Sequence, residues 1–216
     1  PFIPLSLLAN GVVRYGVGSV FFAVGSLVGL SVFMPLYFES VLHLSAASSG
    51  LALIALMGGA VTGATIAARI MTRYKRASVA GLALATAVSS ILAIWPASLS
   101  FVGVEIVLAI IGMGIGTVFP ITTTAVQNAV PLRQIGTTTG VLNFFRSLGG
   151  AILVPVFSAV FLAAAAGDAL VSVQTVIVEG GRNGVDFAHV FTGVFLAATI
   201  ALGLAFLFQS AMKELP

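Results

Sequence analysis

The chain has 216 residues, 59% of them hydrophobic and only 7% charged, whereas an ordinary soluble domain carries about 25% charged residues. No soluble core of this size could hide so much apolar surface, so lipid must act as the solvent. Nine Lys and Arg stand against six Asp and Glu, with no basic patch interleaved with aromatics, which argues against nucleic-acid binding; the absence of cysteine removes disulfides, thiolate metal sites and cysteine nucleophiles together.

Crossing the hydrocarbon layer takes about 20 apolar residues per helix. Six stretches qualify: 16–38, 47–71, 78–96, 99–124, 137–166 and 187–211. The expected fold is therefore an all-α membrane protein, a six-span bundle over 16–211, with a lead-in at 1–15, an outer loop at 167–186 and a tail at 212–216. The first apolar run is long and followed by more of the same, so no cleavable signal peptide is expected. A start at Pro1 rather than Met reads as a piece of a longer protein, although a processed chain would look the same.

Span one follows Arg14 and ends at Glu39, with His43 in the next loop as an ordinary surface histidine. Span two carries Gly58, Thr62, Thr65 and Arg69 on one face, and Arg69, Arg73, Lys75 and Arg76 cluster between spans two and three. Span three offers only Thr86, Ser89 and Ser90 as polar residues, and the short Pro96–Ser98 break makes spans three and four an antiparallel hairpin. Arg133 lies between spans four and five. The long connection holds Glu179, Gly180, Gly181, Arg182, Asn183 and Gly184, a polar, turn-rich loop. Span six is apolar all round apart from Thr192, Thr199 and a terminal Gln209, and Lys213 follows it. Spans three and six thus read as lipid-facing, with spans one, two, four and five forming the interior. Arg14, Arg69, Arg73, Lys75, Arg76, Arg133 and Lys213 all fall on one side of this topology and Arg182 on the other. The positive-inside rule then places both chain ends in the cytoplasm.

At 100° per residue, Thr139, Asn143, Arg146 and Gly150 share a narrow arc on span five. Span four carries a matching stripe of Glu105, Ala109, Gly112, Gly116, Thr123 and Gln127. Small residues let helices approach closely, which makes Gly112, Gly114, Gly116, Gly149 and Gly150 candidates for packing; small and polar residues on both stripes also fit the lining of a cavity. Arg146 sits about ten residues into its span, too deep for easy snorkelling. An arginine at the centre of an inserted helix costs roughly 2.5–3.5 kcal/mol, so it needs a partner: Glu105, another part of the protein, backbone carbonyls or water. Either a structural ion pair or a role in transport would satisfy it. Glu105 and Glu39 are the acids positioned to exchange protons, and hydration at the outer boundary is the alternative for both.

Several motifs carry a family resemblance. They are Gly112-x-Gly114-x-Gly116-x-x-x-Pro120, Thr122–Thr124, Ala125-Val126-Gln127, Val130-Pro131, Gly136-Thr-Thr-Thr-Gly140 and Phe145-Arg146-x-Leu148-Gly149-Gly150-Ala151. With Pro35-Leu36-Tyr37-Phe38-Glu39-x-Val41-Leu42 and Ser49-Gly50-Leu51, this pattern resembles the C-terminal half of a major facilitator superfamily transporter. More narrowly it is similar to the 14-span drug–proton antiporters, the multidrug efflux proteins of bacteria. The family often has glutamine at the position of Glu39, and the usual acid of its basic loop would fall near Thr72. Its better-known proton-relay acids lie in the N-terminal half and are not carried over.

The resemblance implies alternating access between two six-helix halves, with proton-driven export of a lipophilic or cationic compound across a bacterial inner membrane. Thr139, Asn143, Arg146, Gly112, Gly116, Thr123 and Gln127 would line the cavity, and Glu105 or Glu39 would carry protons. The expected partners are the lipid bilayer, a small-molecule substrate, and an N-terminal half of the same protein or a second copy of this chain. No cofactor or metal is expected, the proton gradient supplying energy; Gly112-x-Gly114-x-Gly116 lacks the lysine of a phosphate-binding loop. A transport-incompetent fragment or structural membrane subunit is the alternative. An intramembrane serine protease is disfavoured, because His43 and His189 lie near span boundaries and Ser26 is the nearest approach to a nucleophile.

Overall fold

A computed structural model of the chain describes residues 7, 9–69, 74–96, 99–165 and 186–212. The polar loop with Arg182, the cations Arg73 and Lys213, and the tail after Met212 lie outside the described residues. The described residues form six helices: α1 (Gly11–Ser40), α2 (Ala46–Arg69), α3 (Tyr74–Ile94), α4 (Phe101–Asn128), α5 (Ile135–Ala165) and α6 (Phe187–Ala211), with a short 3-10 turn (Leu132–Gln134) before α5. Among the described residues there is no strand. All six helices are long and apolar enough to cross a membrane.

The helices run past the apolar windows because capping, not hydropathy, sets their ends. Asn10 Oδ1 accepts the Val12 amide at 2.9 Å and starts α1 ahead of Arg14. Ser100 Oγ accepts the Gly103 amide at 3.3 Å at the start of α4, and Asp186 Oδ1 accepts the amides of Ala188 and His189 at the start of α6. Each cap satisfies a donor that the first turn of a helix leaves without an internal partner. α3 likewise begins at Tyr74, so Lys75 and Arg76 lie in its first turn.

Cross-links between helix ends fix the arrangement. Asn10 Nδ2 donates to the Ala129 carbonyl at 2.9 Å, tying the start of α1 to the end of α4. The Tyr37 hydroxyl donates to the Pro96 carbonyl, tying the end of α1 to the turn after α3. With the helices alternating in direction, Arg14, Arg69, Lys75, Arg76 and Arg133 gather at one end of the bundle, and the described acids Glu39, Glu105 and Asp186 at the other.

α1 and α4 form the centre. α2 packs chiefly on α4, α5 chiefly on α1, and α3 and α6 pack against each other behind them. The core at the acidic end is aromatic: Phe33 and Tyr37 of α1 interlock with Phe157 and Phe161 of α5 and with Phe191 and Phe195 of α6, while Phe38 meets Tyr37 and Phe101 of α4. Most of these rings meet edge to face, the arrangement their quadrupoles favour. Span six is therefore not merely a lipid-facing element. Phe187, Val190, Phe191, Val194, Phe195, Ala198, Leu202 and Ala205 are buried against α1, α3 and α5. A helix that is apolar all round gives no sequence signal for which arc faces protein, and that is why this face was not foreseen.

Helix spacing at α4 is set by glycine. In Gly112-x-Gly114-x-Gly116, residues two apart point about 200° away from each other, so the run divides between two neighbours. Gly112 and Gly116 lie against Leu56 and Ala60 of α2, while Gly59 and Gly63 of α2 lie against Ala109 and Met113 of α4, backbone to backbone. Gly114 faces the other way and meets Gly81 and Ala85 of α3. On the far side of the bundle, Gly149 of α5 abuts the backbone of Phe21, with Gly25 beside it.

Candidate functional site

α4 and α5 meet over a short stretch nearer the basic end. Gln127 Nε2 donates to Thr139 Oγ1 at 3.2 Å, and the Arg146 guanidinium lies 5.0 Å from the centre of the Phe119 ring. These two contacts fix an antiparallel register. Eight residues of α4 and seven of α5 separate them, about 12 and 10.5 Å of helix rise, so Thr123 and Asn143 fall between. The result is one row: Phe119, Thr123 and Gln127 on α4 opposite Arg146, Asn143 and Thr139 on α5.

Arg146 is half-buried in this row. Its Nη1 donates to Asn143 Oδ1 at 3.0 Å, one helical turn earlier. A guanidinium over an aromatic face gains roughly 0.5–2 kcal/mol according to its desolvation. Its Nε has no hydrogen-bond partner, and no ion pair joins it to a carboxylate among the described residues. Glu105 is not that partner. It lies fourteen residues up α4 from Phe119, about 21 Å along the helix, far beyond the reach of an arginine side chain.

The remaining candidates divide by place. Glu105 is partly exposed in the first turns of α4 at the acidic end. Glu39, at the end of α1, accepts a hydrogen bond from Ser49 Oγ at 2.9 Å. Thr123 Oγ1 donates to the Phe119 carbonyl at 2.7 Å, which leaves its lone pairs toward the row. Gly112 and Gly116 are buried against α2 rather than open to a cavity, and Gly114 is buried against α3. Gly149 is buried against α1, and Gly150 makes ordinary contact with Val28. On α2, Gly58, Thr62 and Thr65 face outward, both threonine hydroxyls satisfied by carbonyls of their own helix. α5 likewise turns Gly140, Asn143 and Ser147 outward.

One polar cluster was not anticipated. Gln209 of α6 is fully buried, donates from Nε2 to Ser78 Oγ of α3 at 2.8 Å and accepts from Thr122 Oγ1 of α4 at 3.3 Å. The Ser78 hydroxyl in turn donates a hydrogen bond to the Lys75 carbonyl at 3.1 Å. The only sequence signal was a glutamine near the end of an apolar helix, which hydropathy reads as interfacial.

A serine hydrolase arrangement does not form among the described residues. Ser26 is fully buried in mid-helix and donates to the Phe22 carbonyl at 2.8 Å, while His43 and His189 are exposed at the acidic end. The described residues also hold no group of three His, Asp or Glu that could bind a metal ion.

Six apolar helices, with every described charge but Arg146 held toward the two ends, are the build of an integral membrane protein. The chain belongs to the Major Facilitator Superfamily, whose family profile matches residues 1–154. It is 26% identical over 162 residues to the multidrug transporter protein MdtP of Bacillus subtilis (strain 168), a match covering 74% of this chain and 30% of that protein. It is 25% identical over 181 residues to a tetracycline resistance determinant of Streptomyces rimosus, covering 77% of this chain and 52% of that protein. The chain thus spans about half or less of the relatives it matches.

Proposed function

We propose that this chain forms one six-helix half of a proton-coupled exporter of lipophilic or cationic compounds, with the α4–α5 row on the wall of its substrate path. The observation that carries this reading is Arg146. A permanent cation deep in an apolar helix, with Nε unpartnered, belongs where water or substrate reaches it. The relatives named for multidrug transport and tetracycline resistance support the substrate class. The opposite wall comes from a second six-helix half, in the same polypeptide or in a second copy of this chain, related by an axis along the membrane normal. It covers the outward faces of α2 and α5, whose glycine, threonine, asparagine and serine residues are poor lipid contacts. Glu39 and Glu105 exchange protons at the acidic end. In this reading that membrane is a bacterial inner membrane, and the positive-inside rule, applied to the five described cations at the other end, favours the cytoplasm for that end.

The test is drug-driven proton movement in proteoliposomes holding the full transporter that contains this segment. Arg146→Ala is expected to lower transport at least tenfold at equal incorporation, and Arg146→Lys to restore only part of it, because an ammonium keeps the charge but not the planar contact with Phe119. Glu39→Gln with Glu105→Gln is expected to uncouple proton flux from export. Wild-type export and coupling in all of these variants would refute the assignment and favour a structural membrane subunit.

A further inference from the structure

A second feature lies at the basic end, behind the α4–α5 row. An open groove of about 370 Å³ runs between the start of α3 and the end of α6, lined by Lys75, Arg76, Val79, Ala80, Ala83 and Ser210. Positions 75, 76, 79, 80 and 83 form one face of α3 over about 12 Å of helix rise. The two cations stand at the mouth, and small apolar side chains continue along the wall toward the membrane interior. Neither Lys75 nor Arg76 has an ion pair or a side-chain hydrogen bond among the described residues. The described carboxylates Glu39, Glu105 and Asp186 sit at the other end of helices some 30 Å long. Ser210 Oγ donates to the Leu207 carbonyl at 2.9 Å, so its lone pairs can accept but its proton is engaged. The first turn of α3 adds the positive end of a helix dipole.

We propose that this groove binds an anionic phospholipid, with the headgroup phosphate between Lys75 and Arg76 and an acyl chain laid over Val79, Ala80 and Ala83. Charge complementarity selects an anion, since two adjacent cations at a membrane boundary lack a counter-ion within the described protein. The apolar wall selects a lipid over free phosphate, which would gain nothing from the lower part of the groove. Basic pockets between transmembrane helices recognise anionic headgroups on these grounds. Each basic residue near the surface favours an anionic lipid about fivefold, so the pair supports a preference of roughly thirtyfold over a zwitterionic lipid.

The experiment is native mass spectrometry of the full chain in micelles holding equal phosphatidylglycerol and phosphatidylcholine. Wild type is expected to retain phosphatidylglycerol by about thirtyfold. K75Q and R76Q should each lower the preference about fivefold and the double variant should abolish it, whereas R133Q, a cation at the same end but outside the groove, should leave it unchanged. Ala83→Phe, which fills the groove without touching charge, should weaken retention with both cations intact, and circular dichroism checks that each variant keeps its helix content. Equal retention of the two lipids by wild type would overturn the proposal, as would an unchanged preference in the double variant. Displacement of phosphatidylglycerol by excess inorganic phosphate would overturn it as well, since it would reduce the site to an anion site without a lipid component.

Discussion

The glycine contact between α2 and α4 makes the sharpest prediction about the fold. A Cβ added at Gly112 would lie 3.0 Å from both the Ala60 nitrogen and the Leu56 carbonyl carbon, and nearer still to the Leu56 oxygen. One added at Gly116 would lie 2.8 Å from the Ala60 carbonyl carbon and 2.9 Å from its Cα. All of these atoms are backbone, so no rotamer change can relieve them. Restoring ordinary contact requires the helices to part by roughly 1 Å, which forfeits dispersion along the whole seam. Overpacking costs about 1–3 kcal/mol, and backbone contact puts Gly112→Ala at the top of that range. Exchanging a helical glycine for alanine returns up to about 1 kcal/mol, leaving a net loss near 2 kcal/mol.

Gly116→Ala one turn away should cost about the same alone but much less on top of Gly112→Ala, because one separation of the helices accommodates both methyls. A coupling of about 1 kcal/mol is expected. The control is Gly58, beside Gly59 in sequence, where an added Cβ meets nothing within 4 Å. Gly58→Ala should be neutral or stabilise by about 0.5–1 kcal/mol, while Gly59→Ala, aimed at the backbone of Ala109, should destabilise. The assay is reversible unfolding in mixed dodecyl maltoside–SDS micelles followed by circular dichroism. Additive alanines at 112 and 116, or equal losses at 58 and 59, would refute a backbone-limited seam.

Two further predictions use the same assay. Gln209→Leu removes two buried hydrogen bonds and should cost about 1 kcal/mol, with a Gln209/Thr122 double-mutant cycle (Leu and Val) returning a coupling near 0.6 kcal/mol, the typical size for such bonds within a bilayer; strict additivity would mean that the 3.3 Å contact contributes nothing. Asn10→Ala removes both a helix cap and the link to Ala129 and should cost about 1–2 kcal/mol. Asn10→Ser, which keeps a cap but is too short to reach Ala129, should recover about half of that, and full recovery would show the interhelical bond to be idle.

The sequence made the membrane class, the number of helices and the end-to-end charge asymmetry legible, because each depends on composition summed over about twenty residues. It did not reveal partners. Arg146 announced itself as a buried cation, but Phe119 as its neighbour could be read only from the helix register, and the apolar surroundings of a phenylalanine carry no mark of that role. Gln209 and Asn10 were hidden for a related reason. Each sits at a helix end, where a polar residue is unremarkable until the opposing helix is known to bring Thr122 or the Ala129 carbonyl within reach.

The stripe on α4 shows how structure narrows a pattern that sequence leaves whole. Glu105, Ala109, Gly112, Gly116, Thr123 and Gln127 share an arc, yet α2 covers the middle of it, leaving an acid at one end and two polar residues at the other. Glycines buried backbone to backbone cannot also line a cavity, so the proposed substrate wall shrinks to the Phe119–Gln127 segment and the facing turns of α5. Helices joined by a backbone seam also move together, since sliding one past the other would drive the Leu56 and Ala60 carbonyls into the α4 backbone. In a rocking cycle α2 and α4 would therefore travel as one rigid pair. α5 is held to α1 by a seam of the same kind, Gly149 against the Phe21 backbone, so those two would move as a second pair, and the α4–α5 joint, limited to a few side chains, is where the pairs would shift. Arg146 stands at that joint, held by one hydrogen bond within its own helix and one aromatic face across from it, and neither of these blocks a sliding motion of α5.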